Sequence, residues 1–197
     1  MISVVIVDDE ALVASSLGTL LDLEDDIDVK AVLGSGKELL DWAKQHSADV
    51  IVTDLHLQGI DGIDAAAQIP DAKTVIITSH PRPAALKRAL AANILGFLPK
   101  TSTAEQFAAA IRSVHSGKRF LDPEVAASAI AAGESPLTDG ETRVLTEVPS
   151  ASSIADIAER CFLAPGTVRN YLSSAMSKTG ANNRHEAYSL ALEKGWI

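Results

Sequence analysis

The stretch IVTDLHLQGIDG, residues 51–62, runs from an apolar segment into an acidic side chain and then directly into a glycine-containing loop. Ile51-Val52-Thr53, preceded by Val50, predicts a strand buried on both faces, because near-continuous β-branched residues suit a parallel sheet covered by helices. Asp54 then stands at its carboxyl end. In an open α/β sheet that edge is where ligands bind, since strand ends and loops converge there on one crevice. A second buried-strand pattern, ISVVIV at residues 2–7, brings Asp8 and Asp9 to the same edge. Three carboxylates on adjacent strand ends repel one another unless a cation neutralises them. A hard divalent cation such as Mg²⁺ suits oxygen ligands of this kind.

Outward from this stretch the first part of the chain alternates strand and helix patterns, which points to a doubly wound parallel sheet. Segments 28–33, 74–78 and 96–100 join 2–7 and 50–53 to make five strands. Helices are expected at 10–23, 35–45, 62–69, 83–92 and 103–116. In the first of them Val13, Leu17, Leu20 and Leu21 form an apolar stripe. The last opens with Thr103 and Gln106 as a capping box, and Phe107, Ile111 and Val114 mark its buried side. Residues 1–117 are thus expected to form one domain. Residues 118–136 read as a linker with a short alanine-rich helix over 123–131, punctuated by Gly133 and Pro136.

From residue 137 to 197 the period is helical throughout, with capping boxes at Thr138/Glu141, Ser153/Asp156 and Asn183/Glu186. Four helices are expected, near 139–148, 154–161, 165–179 and 184–194. The second and third are separated by about four residues, the spacing of a helix-turn-helix. Pro165 suits the first turn of the third helix. There Val168, Leu172 and Ala175 would face the core, leaving Arg169, Asn170 and Ser173 together on the outer side.

The chain of 197 residues is 47% hydrophobic and 22% charged, a composition of globular proteins. No run of about 18 apolar residues interrupts it, and its first residues enter a strand pattern, so a cytoplasmic protein without a membrane partner is expected. Its single cysteine, Cys161, excludes an internal disulfide and a cysteine-based metal site. The net charge of −9 argues against a polyanion partner at first. The distribution changes that. Residues 1–136 hold 11 Lys/Arg against 19 Asp/Glu, while residues 137–197 hold 6 against 7. Within the second part, residues 164–184 carry Arg169, Lys178 and Arg184 and no acid, which leaves room for a small cationic face.

At the crevice, the strand over 74–78 ends in Thr78 and the strand over 96–100 ends in Lys100. A hydroxyl and an ammonium therefore meet Asp8, Asp9 and Asp54, a set suited to a small oxyanion such as a phosphoryl group. With these residues laid out, residues 1–117 resemble a response-regulator receiver domain of flavodoxin/CheY-like fold. Residues 137–197, through LTDGETRVL, PGTVRNYLS and NRHEA, resemble the LuxR-type helix-turn-helix. Together the two parts resemble the NarL/FixJ family of two-component response regulators, with a subgroup likeness to the regulators of membrane-lipid fluidity.

The resemblance implies that Asp54 accepts a phosphoryl group from the phosphohistidine of a sensor histidine kinase. Asp9, Asp54 and the His56 carbonyl match the Mg²⁺ ligands, and Asp8 acts through water. Thr78 and Lys100 match the groups that hold the phosphoryl oxygens, and Phe97 matches the aromatic switch. Arg169, Asn170 and Ser173 match groove-facing positions on double-stranded DNA, with Thr167, Lys178 and Arg184 near phosphates. The family implies a transcription regulator, not an enzyme, that forms a homodimer on phosphorylation; helices 83–92 and 103–116 are its expected contact surface, with the first helix as a participant.

The sequence departs from the family at Leu57-Gln58, where Met-Pro is common. Gly140 stands in place of an arginine beside Glu141 and removes an ion pair. Ala164 stands where a serine would cap the helix, and Thr179 where leucine is usual. Two other functions are compatible with a strand-end aspartate. One is a phosphatase or phosphotransferase of the haloacid dehalogenase type, which requires a second acid two residues after the nucleophile; that position is His56. The other is a dimerising adaptor that does not bind DNA.

Overall fold

A computed structural model describes residues 1–131 and 135–197; Gly133 of the expected linker lies outside them. The chain divides into two compact units, one of Met1–Pro81 with Ala85–Ala126, the other built on Ala127–Ile197.

The first unit is a parallel sheet flanked by helices. Its strands are β1 (Ile2–Val7), β2 (Ile27–Leu33), β3 (Val50–Asp54), β4 (Lys73–Thr78), β5 (Gly96–Pro99) and β6 (Phe120–Leu121), in the order β2-β1-β3-β4-β5-β6. The expectation of five strands is therefore corrected to six. Gly96 pairs with Phe120 and Phe97 with Leu121 in parallel register, so the start of the expected linker joins the sheet. A two-residue strand is too short to carry a periodicity. Its place is set by tertiary pairing, through Phe120 N–H donating to Leu95 O and Asp122 N–H donating to Phe97 O.

Alternation along the strands sorts their side chains onto two faces, as the pleat requires. Val4, Ile6, Val50, Val52, Val75, Ile77 and Leu98 pack against α1 (Ala11–Leu21) and α5 (Ala104–His115). Val5, Val7 and Ile51 pack on the other side against Leu39 of α2 (Gly36–Ala43) and Ala65 of α3 (Gly62–Ala66). The helix α4 (Pro83–Ala91) connects β4 to β5. β3 is buried at all five residues, as expected of a central strand.

The apolar stripe foreseen for the first helix is only partly used. Ala14, Leu17, Gly18 and Leu21 are buried, whereas Leu20 is 46% and Leu12 79% exposed. The helix carries more apolar residues than one face holds, and the face is chosen by fit. Gly18 is part of that fit, because a Cβ there would lie 3.2 Å from Val32. Thr103 and Gln106 form the expected capping box at the start of α5.

The second unit contains α6 (Pro123–Ala131), which starts in the first, then α7 (Asp139–Thr146), α8 (Ile154–Cys161), α9 (Pro165–Thr179) and α10 (Arg184–Glu193). Its core unites Val144, Leu145, Ile157, Val168, Leu172 and Ala187. The box at Thr138/Glu141 forms in full. The other two form by half. Ser153 and Asn183 accept from their helices' N–H groups, but Asp156 and Glu186 accept from Ser152 N–H and Asn182 N–H, one residue before the cap.

Candidate functional site: an acidic strand-end crevice and a helix-turn-helix

The five crevice residues foreseen in the sequence arrive from four adjacent strands and the loops after them. β1 delivers Asp8 and Asp9, β3 ends at Asp54, β4 ends at Thr78, and Lys100 follows β5. The loop after Asp54 turns back sharply, with Gly62 N–H donating to Leu55 O at 2.9 Å. A Cβ at Gly62 would lie 2.0 Å from the Asp54 carbonyl oxygen, so only glycine permits this close approach. Asp61 then caps α3 by accepting from Ile63 N–H and Asp64 N–H.

Asp8 and Asp54 are buried, while Asp9 is exposed. Carboxylate oxygens of the three all lie within 4.8 Å of one another, a group that can hold a metal ion. Lys100 reaches into this group with only 8% of its side chain exposed. Its Nζ lies 2.8 Å from Asp8 Oδ2, 3.1 Å from Asp54 Oδ2 and 2.8 Å from Glu10 Oε1. The hydrogen bond to Asp8 goes to the other oxygen, Oδ1, at 3.0 Å, and Oδ1 also accepts from Glu10 N–H. Asp8 Oδ2 is left buried without a hydrogen-bond partner, whatever its nearness to the ammonium. Three carboxylates whose oxygens converge, with a single ammonium against two of them, fit a hard cation, which takes oxygen ligands.

The electrostatics agree with this. Burial pushes the Asp8 carboxyl above its ordinary range, against the pull of Lys100. Burial also opposes the charge on Lys100, but hydrogen bonds to Asp8, Glu10 and Asp54 outweigh it and hold the ammonium firmly protonated. Three acids thus hold one lysine, and Asp9 stands beside two of them. Glu10 was missed in the sequence, although its place directly after two acidic ligand candidates was a usable signal.

Thr78 is fully buried, and its hydroxyl accepts from His80 N–H at 3.2 Å. Phe97 on β5 is 1% exposed, with its ring in the core. His56 is exposed in the loop after Asp54. Beside the crevice an apolar groove of about 340 Å³ runs between α1 and α5, lined by Leu12, Leu17, Leu20, Lys100, Ser102 and Phe107 among others.

In the second unit Val168, Leu172 and Ala175 of α9 are buried, and Arg169, Asn170 and Ser173 are exposed together on its outer side. Ala164 makes no side-chain cap, and Pro165 opens the helix. Thr167 and Arg184 are half-buried. Lys178, expected at DNA phosphates, donates to Glu141 Oε2 at 2.7 Å. Ser174 donates to Oε1 at 2.6 Å and Thr138 N–H to Oε2 at 2.7 Å, so this 4%-exposed carboxylate is fully partnered. Burial opposes its charge, but these donors lower the Glu141 carboxyl to about 2. The expected loss of an ion pair beside Gly140 is thus compensated from α9. Gly140 itself makes room for Tyr171, whose ring would stand 2.8 Å from a Cβ there. Thr179, in place of leucine, bonds its hydroxyl to Ala175 O and Met176 O.

Comparison with known proteins agrees with both halves. Residues 4–112 match the response regulator receiver domain, and residues 135–191 match the bacterial regulatory proteins of the luxR family. The transcriptional regulatory protein DesR of Bacillus subtilis (strain 168) is 38% identical, with all of both chains covered. The response regulator ChrA of a heme-sensing two-component system has a similar structure, at 28% identity and TM-score 0.57 over 100% of this chain and 98% of that one. An RcsB–DNA complex shares the fold, with TM-score 0.67, 23% identity and 96% of each chain covered. No helix among the described residues is long and apolar enough to cross a membrane. The chain therefore belongs to the NarL/FixJ family of two-component response regulators, in which a receiver domain is joined to a LuxR-type DNA-binding domain.

Proposed function

We propose that the chain is a cytoplasmic transcription regulator whose receiver, residues 1–117, accepts a phosphoryl group on Asp54 from a sensor histidine kinase. In this step the Asp54 carboxylate attacks phosphorus, the bond from phosphorus to the kinase imidazole breaks, and the imidazole leaves as the acyl phosphate forms. Asp9, Asp54 and the His56 carbonyl, with Asp8 through water, would hold a Mg²⁺ ion, which supplies positive charge against the phosphoryl oxygens. Lys100 and Thr78 hold the remaining oxygens, and a move of Thr78 toward them is sensed by Phe97 on the neighbouring strand. The observation that carries the reading is the meeting of Asp8, Asp9 and Asp54 oxygens within 4.8 Å of one another, with the Lys100 ammonium against Asp8 and Asp54.

The experiment is intact-mass measurement after treatment with a small phosphodonor and Mg²⁺. One phosphoryl group is expected on the native chain and none on Asp54→Asn. A variant that still gains the group refutes the assignment.

The carboxyl-terminal domain, residues 137–197 after a linker over 118–136, would bind double-stranded DNA through Arg169, Asn170 and Ser173, with Thr167, Lys178 and Arg184 toward phosphates. One such domain presents few free cations, so affinity has to come from two copies on adjacent half-sites. Phosphorylation is accordingly proposed to promote a homodimer. Of the expected surfaces, the α1–α5 face has the stronger support, since Leu12 and Leu20, 79% and 46% exposed, line the apolar groove. Sedimentation with and without phosphodonor tests this: the monomer–dimer constant should tighten, and an unchanged constant on phosphorylated protein rejects it. Titration of DNA at two salt concentrations separates this reading from an adaptor, because only a DNA binder shows a steep salt slope.

A further inference from the structure

Glu10 is the acid at the crevice that the phosphorylation chemistry leaves without a task. It occupies the N-cap position of α1, yet its side chain accepts no hydrogen bond from the helix. That is unusual use of a position where a side-chain oxygen normally satisfies a free N–H. Its carboxylate reaches over to Lys100 instead, with Oε1 2.8 Å from Nζ. The hydrogen bond from Lys100 also draws the Glu10 carboxyl below its ordinary range.

An ammonium has three N–H donors. Here Asp8, Glu10 and Asp54 stand around them at hydrogen-bonding distance, so none is spare. The three acids differ in freedom. Asp8 and Asp54 are buried with side chains 0% and 7% exposed, while that of Glu10 is 58% exposed. A phosphoryl group arriving on Asp54 needs a donor from Lys100, and the partner that can yield to water is Glu10.

Resting on the reading that Asp54 is phosphorylated, we infer that Glu10 is a positioning residue that holds the Lys100 ammonium in its resting place and so slows phosphoryl transfer to Asp54. The acid acts as a brake through the lysine. It does not touch the reacting atoms. An ion pair open to water on its Glu10 side changes a rate by about two- to fivefold.

Two substitutions separate the grip from simple charge. Glu10→Gln removes the charge and the strong acceptor. Glu10→Asp keeps the charge but is one carbon shorter, and at an N-cap its carboxylate turns to the helix N–H groups. Initial rates of phosphoryl incorporation from acetyl phosphate, at saturating Mg²⁺, are expected to rise about two- to fivefold in both variants. In a Lys100→Ala background the Glu10→Gln change should have no effect, since the coupling partner is gone. A second readout needs neither metal nor phosphodonor: competitive acetylation of lysines in the metal-free protein, followed by peptide mass spectrometry. Lys100 should react faster relative to exposed Lys118 in both variants than in the native chain.

Unchanged or slower phosphorylation in Glu10→Gln, or an unchanged Lys100 reactivity, overturns the inference. A Glu10→Asp protein that behaves as the native chain while Glu10→Gln is fast overturns it too, by showing a field effect without a grip. If the native chain takes no phosphoryl group at all, the function reading itself fails, and the lysine-reactivity arm still reports whether Glu10 holds Lys100.

Discussion

Each domain holds a lysine against a buried carboxylate, and the two arrangements differ in balance. Lys178 meets one acid, Glu141, whose oxygens are completed by Ser174 and the Thr138 N–H. Lys100 meets three acids, with Asp9 a fourth nearby, and one buried oxygen of Asp8 has no hydrogen-bond partner. A balanced network serves the fold, because every polar group removed from water has found a replacement. An unbalanced one is costly to the fold and is tolerated where a ligand completes it. The difference is what the proposed phosphorylation at the receiver crevice requires, and it makes the Glu141 network a joint between α7 and α9.

The largest effect is expected where the balanced network is broken. Glu141→Ala leaves Ser174, Lys178 and the Thr138 N–H without their acceptor and should destabilise the helical domain by about 2 to 3 kcal/mol in urea denaturation. The same pair has a pH signature. Since the folded carboxyl lies near 2 and the unfolded one near 4.5, its contribution is fully present above about 4.5 and is lost as pH falls toward 2. Denaturation midpoints of the native protein should decline through that window, with a shallower decline in Glu141→Gln.

Next in size is the exposed side of α9. Arg169→Ala should weaken binding to a specific DNA site by about 1 to 3 kcal/mol while leaving thermal stability unchanged, because Arg169 stands outside the buried stripe. Fluorescence anisotropy with a selected site checks it, and unchanged affinity counts against α9 as the reading helix.

The unbalanced crevice predicts the opposite sign for stability. Asp8→Asn removes one of several mutually repelling carboxylates and should stabilise the metal-free receiver by about 1 kcal/mol. Mg²⁺ is expected to stabilise the native chain, and in this variant that stabilisation should largely disappear. A variant less stable than the native chain without metal would show that the crevice is as balanced as the Glu141 joint.

The smallest effect concerns the turn between α8 and α9. Phe162 ends α8 with φ +53° and is 90% exposed. A left-handed backbone favours asparagine or glycine over a bulky aromatic. Phe162→Asn should therefore raise stability by about 0.5 kcal/mol, read as a small increase in melting temperature.

Much of the molecule was legible in advance because its signals are local. The β-branched runs before Asp8 and Asp54 mark buried strands, and an acid after such a run has one edge to occupy. The spacing of Val168, Leu172 and Ala175 assigns the two sides of α9 without reference to anything else. The capping oxygens of Thr103, Thr138, Ser153 and Asn183 fall where the helices begin. These features depend on neighbours a few residues away, and sequence records neighbours directly.

Other features were decided in three dimensions. Phe120 and Leu121 became a sixth strand because β5 had a free edge, not through any pattern of their own. Leu20 was left exposed and Ala14 buried, since α1 settled by fit against the sheet through Gly18. The match of Glu10 to Lys100, 90 residues apart, and of Glu141 to Lys178, 37 apart, arose from where strand and helix ends meet. Periodicity fixes which face a side chain takes, but pairing between distant charges depends on distances that only the packed chain sets.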